Sequence, residues 1–219
     1  MKKVLVFSGG LDSSILLSSE LSQKHSIHPM HFNYGSKHNN REFDAAVLIA
    51  EKLGAFLPIQ IQLPFINCLF KSDLLKSGGE IPEGHYADDS MKSTVVPFRN
   101  GIMLSIAAGY AESIEAETVL IANHSGDHPI YPDCRKSFIR GMNTAVLEGT
   151  DYKVRIESPF VDIDKTEIVK IGSSLGVPMH LSYSCYKGER IHCGVCGTCV
   201  ERKEAFVEAG IEDLTQYEV

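Results

Sequence analysis

The chain has 219 residues, about one to one and a half domains at the usual size. Its residues are 43% hydrophobic and 22% charged, which excludes a disordered, collagen-like or coiled-coil chain, and no apolar run reaches the roughly 18 residues of a membrane span. The net charge of -7 argues against a broad nucleic-acid-binding face.

Short apolar runs alternate with segments of helical spacing along most of the chain. The first run, Lys3–Phe7, ends at two glycines and is too short for a secretion signal, so we expect a buried strand and a cytoplasmic protein. In chain order, the sequence predicts strands at Lys3–Phe7, Ile27–Asn33, Phe56–Leu63, Thr118–Ala122 and Val154–Glu157, and helices near 12–24, 37–53, 100–116, 135–148, 164–175 and 200–209. This alternation indicates an α/β fold, with helices on both faces of a parallel sheet.

Two stretches depart from the alternation. Residues 64–98 are rich in proline and glycine, and we expect a long excursion over the active face of the sheet. The tail carries a cysteine cluster, which suggests a division into an α/β domain over 1–180 and a small metal-binding subdomain over 181–219.

The turn after the first strand has the composition of an anion-binding loop. Its members are Ser8, Gly9, Gly10, Leu11, Asp12, Ser13 and Ser14. The glycines let the backbone approach a ligand, and loop amides at a helix N-terminus bind phosphate. Asp12 beside a phosphate indicates a bound cation such as Mg²⁺. The string is not a Walker A motif. A plain turn with a serine cap is the alternative.

The cysteines of the tail have metal-ligand spacing. Cys193, Cys196 and Cys199 form two C-x₂-C pairs with Cys185 upstream, and four thiolates complete a tetrahedral Zn²⁺ shell. A shell without an open position indicates a structural ion. A ferredoxin-type iron–sulfur motif would need a further cysteine that is absent here. Free thiols, or His192 or His180 in place of Cys185, are the remaining alternatives.

The middle segments place polar residues where ligands of open α/β sheets bind. Arg99 and Asn100 precede a helix, and Asp133 and Arg135 follow a strand and its polar loop. Asp133 has the chemistry to accept hydrogen bonds from a guanine-like edge, and Arg135 or Arg99 to pair with a carboxylate. A local turn at Tyr-Pro-Asp is the equal alternative.

Two further kinds of side chain in these loops are candidates for chemistry. Cys134 is a possible nucleophile, although buried cysteines are more often inert. His124, His128 and His85 are possible proton carriers for ammonium, but we expect them to be solvated loop residues.

The string SGGLDSS resembles the signature of the ATP pyrophosphatase (PP-loop) superfamily, which activates carboxylates or carbonyls by adenylation. The strings FNYGSKH, VPFRN, YPDCR, DKTEI and SCYKGERIHCGVCGTCVERKEAF follow in order over nearly the whole chain. Together they resemble the 7-cyano-7-deazaguanine synthase family of queuosine biosynthesis. Departures are Leu11, where many members have Gln, Phe98, where many have Gly, and a long segment at 84–97.

This resemblance implies an adenine nucleotide alpha hydrolase-like fold and an ATP-dependent carbon–nitrogen ligase. The substrates would be 7-carboxy-7-deazaguanine, ammonium and ATP, with Mg²⁺ and one structural Zn²⁺ per chain. It further implies that Asn33, at the end of the second strand, approaches the adenine and that Lys165 reaches the phosphates; a solvated Lys165 is the alternative. Relatives suggest a homodimer with no direct nucleic-acid or membrane partner.

Three other functions stay open on the sequence. A related enzyme of the superfamily would activate a different carboxylate or amine. A tRNA thiolation enzyme would need a catalytic cysteine pair and a basic surface, against which the charge of -7 weighs. A zinc-knuckle interaction module would have no use for an intact SGGLDSS loop.

Overall fold

A parallel five-stranded sheet forms the centre of the computed structural model, which describes residues 1–219. The strands are β1 (Lys2–Val6), β2 (Ser26–Asn33), β3 (Ile59–Gln62), β4 (Thr118–Leu120) and β5 (Arg155–Glu157). Their order in the sheet is β3-β2-β1-β4-β5. The order reverses at β1, where Lys3 pairs with Ile27 on one edge and with Thr118 on the other. Such a reversal opens a crevice at the carboxyl ends of β1 and β4.

Seven α-helices connect and follow the strands. They are α1 (Leu11–Ser22), α2 (Asn39–Leu53), α3 (Pro64–Leu69), α4 (Arg99–Ser113), α5 (Lys136–Gly149), α6 (Lys165–Ser174) and α7 (Gly197–Ala209). Short 3₁₀ helices lie at Asp89–Thr94, Ser125–Asp127, Pro132–Cys134 and Met179–Leu181. None of the helices has the length and apolar character needed to cross a membrane.

Alternating side chains of the strands divide the core into two halves. Val4 and Val119 face a cluster that includes residues of α4 and α5, whereas Leu5 and Leu120 face a cluster built with α1, α2, α6 and α7. The α/β prediction with helices on both faces is therefore confirmed. Apolar side chains on both faces of each inner strand are what a parallel sheet covered by helices requires.

Element boundaries differ from prediction mainly at the sheet edge. The predicted strand Phe56–Leu63 shortens to Ile59–Gln62, and Phe56 and Leu57 lie exposed before it. By contrast, α6 begins where its capping box predicts: Glu167 N donates to Asp164 Oδ1 at 2.8 Å, and Asp164 N donates to Glu167 Oε2 at 3.4 Å.

The segment 64–98 joins the cysteine-bearing tail to the sheet edge. It contains α3 and the 3₁₀ helix Asp89–Thr94, and a bridge pairs Glu83 with Cys196. The cysteines of the tail are members of one core cluster, and Ala205 and Phe206 of α7 are members of the other. The tail is thus packed against both halves of the core.

Candidate active site

A cavity of about 210 Å³ lies at the carboxyl edge of the sheet, where the strand order reverses. Residues that follow β1, β2 and β4 contribute to its wall, as do the starts of α1, α2, α4 and α6. The cysteine-bearing tail closes one side with Tyr183, Ser184, Tyr186 and Thr198. The apolar side chains of Val6, Met30 and Ile121 also line it, which gives a flat base an apolar surface to pack against.

The loop after β1 forms part of this wall through Ser8, Gly10, Leu11, Asp12 and Ser13. Gly10 N donates to Ser8 Oγ at 3.1 Å, and the hydroxyl groups of Ser8 and Ser13 are 3.1 Å apart. No side chain caps α1, which leaves the amide groups of its first turn open to an anion. Open amide groups at the start of a helix, beside serine hydroxyls, are suited to binding a phosphate.

Gly9 and Ser14 support the loop from below. Gly9 has a φ of +84°, and a Cβ there would lie 2.4 Å from the carbonyl oxygen of Glu42 in α2. Ser14 Oγ donates to Gly10 O at 2.7 Å, which fixes the first turn of α1. The loop therefore lies directly on α2, and only glycine fits at the contact.

Lys165, the first residue of α6, is buried between carboxylates. Its Nζ lies 2.6 Å from Glu201 Oε2 and 3.4 Å from Asp12 Oδ2. Burial lowers the pKa of Lys165, but the negative charges of Asp12, Glu201 and Asp127 outweigh it and raise the pKa above its usual value. The lysine is thus a fixed cation beside the loop, and its alternative interpretation as a solvated residue is wrong.

Asp12 keeps one carboxylate oxygen uncommitted. Its Oδ2 faces Lys165, whereas its Oδ1 is buried and has no hydrogen-bond partner. A buried carboxylate oxygen without a donor is costly unless a ligand or cation satisfies it. The donor set at this point, a carboxylate oxygen next to a phosphate-binding loop, fits Mg²⁺.

His124 completes this charged group from the loop after β4. It is buried, with Nε2 3.6 Å from Asp127 Oδ1, 3.8 Å from Glu201 Oε1 and 3.9 Å from Asp12 Oδ2. Tyr86 Oη also donates to Asp127 Oδ1, at 2.8 Å. The expectation that His124 is a solvated loop histidine is therefore wrong. His85 is exposed, as expected.

Arg99 lines the same cavity from the start of α4, on the other face of the sheet from α6. Its Nη1 donates to Tyr34 Oη at 3.3 Å, its Nε is buried without a partner, and it forms no ion pair. The preceding residue, Phe98, has a left-handed φ of 52°, a backbone conformation that favours glycine. A cation so placed can hold an anionic ligand.

Three predicted ligand-binding residues lie outside the cavity wall. Asn33 Oδ1 accepts a hydrogen bond from Gly35 N at 3.2 Å. Asp133 Oδ2 accepts from Asn100 N at 2.9 Å, because the 3₁₀ turn aims it at the start of α4. Arg135 is exposed, and its Nε donates to His128 O at 2.9 Å. This placement fits the local turn that the sequence left as the alternative for Asp133 and Arg135.

Cys134 lines the cavity but is not poised as a nucleophile. Asn100 Nδ2 donates to its Sγ at 3.2 Å, and burial raises the pKa of the thiol well above its ordinary value. A protonated, buried thiol is a weak nucleophile.

The four cysteines of the tail come together as predicted. Cys185, Cys193, Cys196 and Cys199 are buried with their sulfur atoms all within 4.8 Å of one another. Cys193 Sγ and Cys199 Sγ are 3.9 Å apart. Four sulfurs about 2.3 Å from a central Zn²⁺ would stand about 3.8 Å apart, so this set fits a tetrahedral ion. His192 is not part of the set, because its Nε2 accepts from Ser184 N at 3.1 Å.

A sheet of this order, with a glycine–serine loop after β1 and a cavity at its switch point, defines an α/β protein of the PP-loop class. NMN synthetase from Francisella tularensis shares this fold, with a TM-score of 0.52, 14% identity and coverage of 96% of this chain and 77% of that one. The chain belongs to the family of queuosine biosynthesis protein QueC, which matches residues 2–210.

Relatives of known name support this membership along nearly their full length. The chain is 57% identical over 216 residues to the 7-cyano-7-deazaguanine synthase of Porphyromonas gingivalis, covering 98% of this chain and 96% of the relative. It is 50% identical over 214 residues to that of Desulfotalea psychrophila, covering 98% and 97%. The chain is therefore an enzyme of the QueC family, and the family resemblance predicted from its motifs is confirmed.

Proposed function

We propose that this enzyme converts 7-carboxy-7-deazaguanine and ammonium to 7-cyano-7-deazaguanine at the expense of ATP. The observation that carries the proposal is one cavity lined by a phosphate-binding loop, the buried Lys165 and the unpaired Arg99. Such a cavity can hold a triphosphate and a second anion together, which adenylation of a carboxylate requires. The names of the relatives supply the product.

The chemistry proceeds through two activations. A carboxylate oxygen of the acid attacks the α-phosphorus of ATP and pyrophosphate leaves, which gives an acyl adenylate. Ammonia attacks the carbonyl carbon, AMP leaves with one oxygen, and an amide forms. The amide oxygen then attacks the α-phosphorus of a second ATP and a second pyrophosphate leaves. Loss of AMP, which takes the amide oxygen, and of the two amide protons leaves the nitrile. Each step needs fixed geometry and charge stabilisation more than a protein nucleophile.

Different residues of the cavity would bind the phosphates, stabilise charge and hold Mg²⁺. The loop Ser8–Ser14 would hold the phosphates through its amides and hydroxyls, and Lys165 and Arg99 would offset negative charge that develops on the transferring phosphoryl group. Asp12 would hold Mg²⁺, with its buried Oδ1 as the free ligand atom. The ion neutralises phosphate charge when bound. Asn33 stays a candidate for an adenine contact, supported by the resemblance alone.

The remaining parts of the proposal concern ions and partners. The four-cysteine shell would hold one structural Zn²⁺ and leave no open position for a substrate. We propose a cytoplasmic homodimer without a direct nucleic-acid partner, on the family resemblance and on the net charge of -7. Sedimentation of the purified protein measures the oligomeric state.

The test is a reaction with a mass readout. The protein, loaded with zinc, is incubated with ATP, Mg²⁺, ammonium and the carboxy-deazaguanine, and the nitrile is sought by mass spectrometry. A nitrile that depends on all the substrates supports the proposal. ATP cleavage with another carboxylate or amine only would assign a related activation reaction instead, and sulfur transfer to tRNA would assign thiolation. No nucleotide binding by calorimetry would overturn all three.

A further inference from the structure

Glu42 is a carboxyl group that the cavity leaves without a partner. It lies in the first turn of α2, lines the cavity, and its side chain forms no hydrogen bond. The nearest basic nitrogen is His38 Nε2, 3.6 Å from Glu42 Oε2. Burial lowers the pKa of His38 to about 4, so this imidazole carries no charge near neutral pH. Glu42 therefore has no fixed cation against it.

Arg99 is the complementary case in the same cavity. Its guanidinium is near enough to lower the pKa of Glu42, yet the two groups do not form an ion pair within 4.0 Å. A buried carboxyl and a buried guanidinium normally pair with each other or with a ligand. Glu42 and Arg99 line one cavity without pairing with each other. They therefore suit a ligand that has hydrogen-bond donors at one end, for Glu42, and an anionic group at the other, for Arg99.

The acceptor substrate of the proposed reaction has this shape. A guanine-type base presents a ring N–H and an exocyclic amino group side by side, and a carboxylate accepts such a pair of donors in a bidentate arrangement. Its carboxylate is attached to the other ring, across the bicyclic system. Asp133, which the sequence suggested for the donor edge, is occupied by the N–H of Asn100. Glu42 is the carboxyl that remains free.

We propose that Glu42 binds the donor edge of the guanine-type acid, and that Arg99 pairs with its carboxylate. This proposal rests on the proposed function. Aromatic rings line the space beside the two groups: Tyr34, which accepts the hydrogen bond from Arg99, and Tyr186, whose ring stacks on His38 at 5.5 Å. Glu42 thereby becomes the residue that selects a 2-amino purine-like base over one without the amino group.

The test compares two ligands on two proteins. The ligands are 7-carboxy-7-deazaguanine and its analogue without the 2-amino group, and the proteins are the wild type and Glu42→Gln. Calorimetry measures the affinity of each acid, and steady-state kinetics measures KM for the acid and for ATP. The matched control is Glu51→Gln, an exposed glutamate of the same helix.

The wild type should bind the analogue about 10–100-fold more weakly than the guanine-type acid, because a buried acceptor is left unpaired. Glu42→Gln should lose a similar factor for the guanine-type acid and most of the discrimination between the two ligands, with KM for ATP unchanged. Glu51→Gln should behave as the wild type. A merely structural role for Glu42 would weaken both acids equally.

Three results would overturn the assignment. They are full discrimination retained by Glu42→Gln, a loss of ATP affinity in that variant, and a fall in kcat with an unchanged KM for the acid. Should Glu42→Gln not fold, Glu42→Asp shortens the same carboxylate and must weaken the guanine-type acid more than the analogue. If the wild type binds the acid with Glu42-dependent discrimination but makes no nitrile, the pocket stands and the proposed function fails.

Discussion

The two carboxylate oxygens of Asp12 have different surroundings in the charged group beside the loop Ser8–Ser14. One oxygen faces Lys165 Nζ at 3.4 Å, and the other is buried without a hydrogen bond. Asp12→Ala removes the oxygen that would bind Mg²⁺ and leaves Lys165 with Glu201. We expect turnover to fall by at least about 100-fold, because a fixed group that stabilises transition-state charge is lost.

The fold should survive this change, since the Asp12 side chain is partly exposed and is not a member of the apolar core. Circular dichroism and steady-state ATP turnover measure the two effects. Asp44→Ala, at an exposed position of α2, is the control and should keep wild-type turnover. Full activity of Asp12→Ala would remove the magnesium-binding role.

Glu42 also makes the stability of the protein depend on pH. Burial raises the pKa of its carboxyl to about 8, and Arg99 opposes the rise in part. Of the groups that face it, His38 has a pKa lowered to about 4 and stays neutral above that value, and the pKa of Tyr34 is raised by burial. The unfolded chain releases the proton near pH 4.5, whereas the folded chain without a bound ligand keeps it until about pH 8. The two N–H donors of a bound guanine-type edge would favour the ionised carboxylate and its release of the proton.

The contribution of Glu42 is therefore fully present below about pH 4.5 and is lost as pH rises toward 8. Glu42→Gln cannot ionise. Relative to the wild type, its free energy of unfolding should rise over this window by up to a few kcal/mol. Urea unfolding at acidic, neutral and alkaline pH measures the difference, with Glu51→Gln as control. Parallel pH profiles for Glu42→Gln and the wild type would contradict the prediction.

The loop Ser8–Ser14 packs directly against α2 at Gly9. The φ of Gly9 is +84°, and the 2.4 Å that would separate a Cβ from Glu42 O leaves no space for a side chain. Gly9→Ala must move backbone rather than a flexible side chain. We expect a loss of about 1–3 kcal/mol in the free energy of unfolding, together with weaker ATP binding.

Gly141→Ala is the matched control for this change. Gly141 is exposed in α5, and a Cβ there meets nothing within 4 Å. Alanine at this position should stabilise the protein by about 0.5–1 kcal/mol and leave ATP binding unchanged. Denaturant unfolding and calorimetry measure both variants. Equal effects of the two substitutions would show that the loop tolerates a side chain.

Helices and strands could be predicted because their signals are local. Several residues of the candidate site could not, because they are far apart in the sequence and meet only in the fold. The capping box at Asp164 and the glycine after α2 announce helix ends through contacts of a few residues, so their positions follow from sequence. The loop Ser8–Ser14 and the four cysteines carry their chemistry in contiguous strings. Glu42 reaches the cavity from α2. Glu201 of α7 and His124 of the loop after β4 reach Lys165 and Asp12 in its wall only because these elements converge there.

No local signal distinguishes these three from solvated residues of a helix or loop. Glu201 follows the cysteine cluster in a run of charged residues, and Glu42 lies in a polar helix start. Asp133 shows the converse ambiguity, since its turn sequence suits a ligand contact as well as a contact with a helix start. Tertiary packing decides whether such a residue is solvated or buried at the site, and the spacing of apolar residues in the sequence does not predict that packing.

The cysteine-bearing tail forms one side of the candidate active-site cavity. Cys196 occupies the N-cap position of α7, and Glu201 lies on that helix two residues beyond Cys199, with its Oε2 2.6 Å from Lys165 Nζ. Arg202, the next residue, is fully buried and donates to Met179 O at 2.9 Å. A metal held by the four cysteines would thus fix the helix whose Glu201 contacts Lys165.

Loss of the metal should therefore weaken ATP binding. Cys196→Ser breaks the four-sulfur shell, and we expect it to lose bound zinc and several kcal/mol of free energy of unfolding. Because α7 then no longer holds Glu201 against Lys165, ATP affinity of the protein that remains folded should also fall. Cys68→Ser, at an exposed cysteine outside the cluster, is the control and should change none of these.

The three readouts of Cys196→Ser separate the steps of this argument. Metal analysis reports the shell, urea unfolding reports the tail, and calorimetry below the unfolding transition reports the coupling to ATP. Unchanged zinc content would refute the four-cysteine shell. Zinc loss with a wild-type ATP affinity would support the four-cysteine shell but show that the metal does not affect Lys165. The position of α7 would then depend on the Arg202 contacts rather than on the metal.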